Sequence, residues 1–241
     1  MPELFATLHW GVVFQIILVD ILLGGDNAVV IALACRGLAP ARRMHGILWG
    51  TAGAIVLRVA LISFALVLLD VPFLKIIGCA LLLWIGIKLM LPGADQHDGI
   101  ASTASVMAAV KTIILADFAM SLDNVIAIAG AAQNAHVGHQ MFYVIFGLLV
   151  SVPIIVWGST LVLRLMDRFP LMVTLGAGLL GWIAGGMLVS DVYVVERLGS
   201  PTPVAKLAAE LTGALVVIVL GRRIAAWRRA GQEQQGGSAL R

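Results

Sequence analysis

Seven apolar runs, each close to the length that crosses a bilayer, decide what this chain can fold into. They fall at about 8–35, 46–69, 72–91, 106–133, 141–163, 171–190 and 207–225. A hydrocarbon core of ~30 Å takes about 20 apolar residues per helix, roughly twice what a barrel strand needs. Composition agrees, because 61% of the 241 residues are hydrophobic and 12% are charged. Soluble domains carry roughly 25% charged residues, so this supply cannot cover a water-facing surface. A soluble enzyme, a nucleic-acid-binding module and a disordered chain are thereby excluded. The expected class is an all-α integral membrane protein with seven transmembrane helices, its main partner the lipid bilayer.

The charges set an orientation. Arg36-Gly37-Leu38-Ala39-Pro40-Ala41-Arg42-Arg43 closes the first run, which Asp20 and Asp26 interrupt and no basic segment precedes. It therefore reads as a span rather than a cleaved signal peptide. With this loop in the cytoplasm, twelve of the Lys and Arg residues fall on its side, including Arg164, Arg168 and the Arg222–Arg229 cluster. Three, Lys75, Arg197 and Lys206, fall opposite, and Arg58 lies inside the second run. The excess of basic residues marks the cytoplasmic side, which puts the N-terminus outside and the C-terminus inside. The net charge of +3 is scattered between runs, so no nucleic-acid partner is expected. Cys35 and Cys79 sit in or beside apolar runs without a CxxC pattern and read as small core residues. Asp191 reads as a solvated cap of the sixth run, His136 and His139 as an outer-loop pair, and 230–241 as a disordered cytoplasmic tail.

The chain also repeats itself. Asp20-Ile21-Leu22-Leu23-Gly24-Gly25-Asp26-Asn27 aligns with Asp117-Phe118-Ala119-Met120-Ser121-Leu122-Asp123-Asn124 at an offset of 97 residues. Pro72, Gly78, Leu81, Leu82, Trp84 and Ile85 fall on Pro170, Gly176, Leu179, Leu180, Trp182 and Ile183 at an offset of 98. An odd number of spans separates the copies, so the second enters the membrane from the opposite side. Residues 8–91 and 106–190 then form two inverted three-helix repeats, with 207–225 as an accessory seventh helix. Inverted repeats with matching polar interruptions are the sequence signature of a secondary transporter whose site lies near the midplane.

Asp20, Asp26, Asp117 and Asp123 lie deep in predicted spans, where each costs about 2.5–3.5 kcal/mol to insert. A bound cation, water, protonation or a basic partner must compensate. Asp20 and Asn27, like Asp117 and Asn124, are seven residues apart and share a helix face. Asp26 and Asp123 point about 120° away at 3.6 residues per turn. Gly24-Gly25 and Ser121 just before them allow a kink that turns these carboxylates inward. Carboxylate, amide and carbonyl oxygens without His or Cys suit Mn²⁺, Mg²⁺ or Ca²⁺ better than Zn²⁺ or Cu⁺. The candidate metal ligands are Asp20, Asp26, Asn27, Asp117, Asp123 and Asn124, with Gly24, Gly25 and Ser121 as gating positions. Arg58 reads either as a counter-charge that replaces the metal in the empty state or as a fixed partner of an aspartate.

The two Asp-Asn motifs with their preceding Asp20 and Asp117 strongly resemble the TerC family of integral membrane proteins. The likeness is nearest to its short YjbE-type branch, within the wider LysE-like exporter superfamily, and covers about residues 8–190. It implies a seven-helix protein of the bacterial inner membrane that exports divalent metal, chiefly Mn²⁺. No resident cofactor and no enzymatic activity are expected; protons are a candidate coupling ion, and a homo-oligomer is compatible with the pattern. Three other readings compete. A cationic amino-acid exporter fits the superfamily but not the carboxylate-rich, aromatic-poor site. An intramembrane aspartyl protease fits Gly24-Gly25-Asp26 superficially but not four aspartates in two copies. A membrane scaffold that assists protein insertion needs no such site at all.

Overall fold

The computed structural model describes residues 10–64, 71–91, 105–132 and 140–238. Among them the chain is helical throughout, without a strand. The helices are α1 (Trp10–Cys35), α2 (Pro40–Ser63), α3 (Leu74–Met90), α4 (Val106–Ala132), α5 (Gln140–Arg168), α6 (Leu171–Val189), α7 (Val192–Leu198) and α8 (Pro203–Ser238). Four of these are long and apolar enough to cross a membrane: α2, α5 from Phe142, α6, and α8 as far as Arg228. A fifth is added if α1 is counted across its bend. The outward surface is apolar, with Phe14, Trp49, Val56, Trp157, Leu215 and Trp227 all exposed, as a lipid-facing surface requires.

Punctuation residues place the helix ends. Pro40 opens α2 without a side-chain cap, the position where its missing N–H costs nothing. Leu91, extended as the residue before a proline prefers, closes α3. Gly199, at φ 80°, closes α7. Three expectations need correction. α2 starts at Pro40, not near 46, so the basic residues Arg42 and Arg43 belong to its first turns. The stretch 230–238, expected to be disordered, continues α8 to Ser238; its Ala, Gln and Glu are good helix formers and extend a helix already nucleated. Asp191, expected to be solvated, is fully buried. Its carboxylate accepts from the backbone N–H of Tyr193, capping α7, and from those of Phe73, Lys75 and Ile76 at the start of α3. That clamp holds Phe73 at φ 67°, an uncommon conformation for a bulky side chain, with the Phe73 and Tyr193 rings 4.4 Å apart.

Packing follows a pattern that survives exchange of the halves. α1 packs on α5 as α4 packs on α2, and α1–α4, α2–α5 and α3–α6 also meet. α8 lies across α6 and touches α3. Two apolar clusters result. The larger gathers the second half of α1 (Val30, Ile31, Leu33) with α3, α4 and α6, and buries both free cysteines. The smaller gathers Ile16, Leu61, Ile62, Tyr143, Val144 and Leu148 from α1, α2 and α5. Phe118 packs against both. The charged residues discussed next lie on α1, α2 and α4.

Candidate cation site

α1 changes direction by 49° between Phe14–Asp20 and Gly25–Cys35. The turn contains Gly24, so the Gly-Gly pair marks the bend it was expected to allow. Asp20 ends the first half and is buried, with 1% of its surface exposed. Asp117, one turn before Ser121 on α4, is likewise buried.

Arg58 of α2 joins them. Its Nη1 donates to Asp20 Oδ1 and its Nη2 to Asp117 Oδ1, while Nε donates to Ser121 Oγ at 3.2 Å. The planar guanidinium fork can serve both carboxylates at once, which an ammonium on one stem cannot. Ser121 Oγ in turn donates to Asp117 Oδ2 at 3.1 Å. Ser151 of α5 donates its single hydroxyl hydrogen to Asp20 Oδ2 or to the Leu148 carbonyl, 2.8 Å away. Every carboxylate oxygen of Asp20 and Asp117 therefore has a donor within reach, that of Asp20 Oδ2 shared with the Leu148 carbonyl. The cluster holds one positive and two negative formal charges, drawn from both copies of the repeated motif.

Asn27 is buried as well, two turns beyond Asp20. Its Oδ1 has no hydrogen-bond partner, and neither do Asp26 Oδ1 and Thr51 Oγ1. Buried oxygens left without a donor are costly and want a proton, a water or a cation. Asn27 and Asp117 line one small cavity with Val30, Ile31, Ala54, Ile113 and Met120. Its volume of about 10 Å³ is close to the minimum that holds one water molecule.

Of the residues singled out from the sequence, the structure brings Asp20, Asp117, Arg58 and Ser121 into one hydrogen-bonded cluster, with Asn27 lining the cavity beside Asp117. Both readings of Arg58 put its guanidinium on an aspartate, and it lies on two of them. Ser121 lies inside α4 and relays hydrogen bonds, accepting from Arg58 and donating to Asp117. Asp123 and Asn124 have their backbone in α4, but their side chains lie outside the described residues, as do His136 and His139. Among the described residues no three His, Cys, Asp or Glu side chains stand together as a metal cage. Sequence reasoning missed Ser151 and Thr51. A lone hydroxyl in an apolar run usually satisfies itself on the carbonyl four residues back, so neither spacing nor composition separates these two from Thr160 or Thr212, which do so.

A second polar cavity, of about 560 Å³, opens at the end of the bundle that carries the α1–α2 loop, and Arg36, Asp167 and Arg222 line it. Burial pulls the Arg36 guanidinium below its ordinary pKa, and Asp167 draws it back up. Asp167 itself is held by both terminal nitrogens of Arg43.

A multi-pass, all-helical membrane protein with an ionic cluster in its core is the class these features define. The chain belongs to the TerC family of integral membrane proteins, whose model matches residues 5–232. It is 41% identical over 200 residues to the membrane protein YjbE of Bacillus subtilis, covering 83% of this chain and 89% of that one. It is 24% identical to the B. subtilis membrane protein YceF, over 73% of this chain and 69% of that relative. With the inner membrane protein YgdQ of Escherichia coli K12 it shares 23% identity, over 67% and 73% of the two chains. No solved structure matches the chain.

Proposed function

We propose that this protein is a seven-span secondary transporter of the bacterial inner membrane that exports divalent metal, Mn²⁺ before Ca²⁺ or Mg²⁺, and is not an enzyme. The observation that carries the reading is the buried bridge Asp20–Arg58–Asp117, which ties the two copies of the motif to one centre. Beside it stand the unsatisfied oxygens of Asp26, Asn27 and Thr51. Interchangeable packing of α1–α3 and α4–α6 supports two inverted repeats, the architecture that places a site at their interface. Seven long helices at the seven apolar runs support seven spans, and the charge count supports a cytoplasmic C-terminus. Asp20, Asp26, Asn27, Asp117, Asp123 and Asn124 supply the oxygen ligands, and protons compete for the carboxylates. Met120 also lines the Asn27–Asp117 cavity.

Purified protein in vesicles, assayed with Mn²⁺, Mg²⁺, Ca²⁺, Fe²⁺ and Zn²⁺, tests this directly. Mn²⁺ should move, and Asp26→Asn should stop it while leaving the protein folded. Vesicles that pass no metal would sink the transporter reading in favour of a scaffold.

A further inference from the structure

An exporter must return with its site empty, and an empty site made of buried carboxylates is a poor traveller. Unpaired charge in the low-dielectric part of the protein is strongly disfavoured. Carriers meet this by loading a counter-ion for the return. This chain carries a cation of its own in the place where one is needed. Arg58 is 4% exposed, and its side-chain donors reach Asp20 from the first motif and Asp117 from the second. Ser121 donates to Asp117 Oδ2 and the Ser151 hydroxyl lies within reach of Asp20 Oδ2, so Arg58 already offsets one of the two negative charges without any ion from solution.

Resting on the metal-transport reading above, we infer that Arg58 is a tethered substitute for the exported cation. It occupies Asp20 and Asp117 when the metal has left and lets the empty carrier reorient without a bound counter-ion. The position that makes this workable is singular. Asp20 and Asp117 are repeated at an offset of 97 residues, but the residue at that offset from Arg58 is Ile155. One cation thus serves both motifs, and it must let go of both when a divalent ion claims them. Asp26, further along α1, has one buried oxygen without a partner. With Asn27 it offers an entering cation a first foothold that Arg58 does not occupy.

Two consequences separate this role from a structural one. Arg58 competes with the metal, so removing its charge should tighten Mn²⁺ binding. Removing it should also trap the carrier in the loaded cycle, slowing net movement far more than one-for-one exchange. The experiment uses full-length protein in vesicles with Mn²⁺ as the probe. It measures net efflux into metal-free buffer, exchange of labelled against unlabelled Mn²⁺, and binding by the Mn²⁺ paramagnetic signal. For Arg58→Gln, the ratio of net efflux to exchange should fall at least tenfold and Mn²⁺ affinity should rise severalfold. Arg58→Lys keeps the charge without the fork and should recover much of the ratio; it also covers the case in which the glutamine variant does not fold. Equal loss of both transport modes with weaker binding would overturn the inference, as would a ratio unchanged from the parent. If the parent protein carries no Mn²⁺ in either mode, the transport reading itself fails. If it exchanges Mn²⁺ but Arg58→Gln leaves the ratio untouched, only the tethered-cation role fails.

Discussion

The two copies of the Asp-Asn motif have the same letters and different surroundings. In α1 the segment after Asp20 is Ile-Leu-Leu-Gly-Gly, and the helix bends by 49° there. In α4 a serine, Ser121, stands where α1 has Gly24. Asp117 receives its neutral donor from Ser121 on its own helix, whereas Asp20 receives one from Ser151 on α5. The acids recur in both copies while their partners differ: at the 97-residue offset Ala54 of α2 stands against Ser151 of α5, and Arg58 against Ile155. An ionic centre needs overall satisfaction of its donors and acceptors, and that can be met asymmetrically.

The sharpest way to break this arrangement is to remove the shared cation. Arg58→Met leaves Asp20 and Asp117 facing one another in the core. Breaking a buried pair by removing one partner costs about 3–5 kcal/mol, so thermal unfolding in metal-free detergent should show a large loss. Asp20→Asn and Asp117→Asn added to Arg58→Met should recover most of it. Saturating Mn²⁺ should stabilise the single variant more than the parent, since ligand binding adds stability as the logarithm of ligand concentration relative to its dissociation constant, which the loss of Arg58 should lower.

The two serines test whether the copies really are satisfied by different routes. Ser151→Ala and Ser121→Ala each withdraw a donor from a carboxylate, worth about 1.5–3 kcal/mol for a hydrogen bond to a charged group. Ser121→Ala should cost more, because Ser121 also accepts from Arg58 Nε. Restoring symmetry with Ala54→Ser should not compensate for Ser151→Ala if the hydroxyl must come from α5. Equal effects of all three changes, read as unfolding midpoints, would show that the divergence is incidental.

Much of this was legible in the sequence, and for a physical reason. Insertion into lipid is decided by local hydropathy, so the long helices lie on the apolar runs with only their ends displaced. Buried charge in such a run is expensive enough to be conspicuous, which is why Asp20, Asp117 and Arg58 stood out before their contacts were known. What stayed hidden were relations between helices. Ser151 and Thr51 are polar without being costly, and their partners lie more than sixty residues away in sequence or are missing. Asp191 looked like a loop residue because its four backbone donors come from two chain segments more than a hundred residues apart. The short helix α7 was invisible for the same reason, since seven residues carry no resolvable period.

The third helix of each half offers a second comparison. α6 carries Gly181 and Gly185 where α3 carries Leu83 and Ile87, and α8 seats itself mainly on α6. A Cβ on Gly185 would lie 2.1 Å from the Ala209 carbonyl oxygen, and one on Gly181 would lie 2.3 Å from that of Gly213. These are backbone contacts that no rotamer change relieves. Gly185→Ala should push the two helices apart at a cost of about 1–3 kcal/mol, the usual range for overpacking. Ile87→Gly, which gives α3 the small surface of α6, should not draw α8 across to it. Cysteine crosslinking between α8 and either helix reads out the seat.

The smallest expected effect concerns the bend itself. A Cβ on Gly25 would meet nothing within 4 Å, so Gly25→Ala introduces no clash. Alanine is favoured over glycine in a helix interior by up to about 1 kcal/mol, partly because it has less freedom to lose on folding. The variant should therefore melt at the same temperature as the parent or slightly above. If the bend is only a packing feature, transport should be unaffected. If the bend opens and closes as the site changes sides, stiffening it should lower the maximal rate of Mn²⁺ efflux and leave the affinity alone. The equivalent position in α4 is Leu122, already a good helix former, so Leu122→Ala should alter packing but not this ratio of rate to affinity. A rate that falls for Gly25→Ala and not for Leu122→Ala would assign the moving part to the first copy of the motif. The opposite result would assign it to the second.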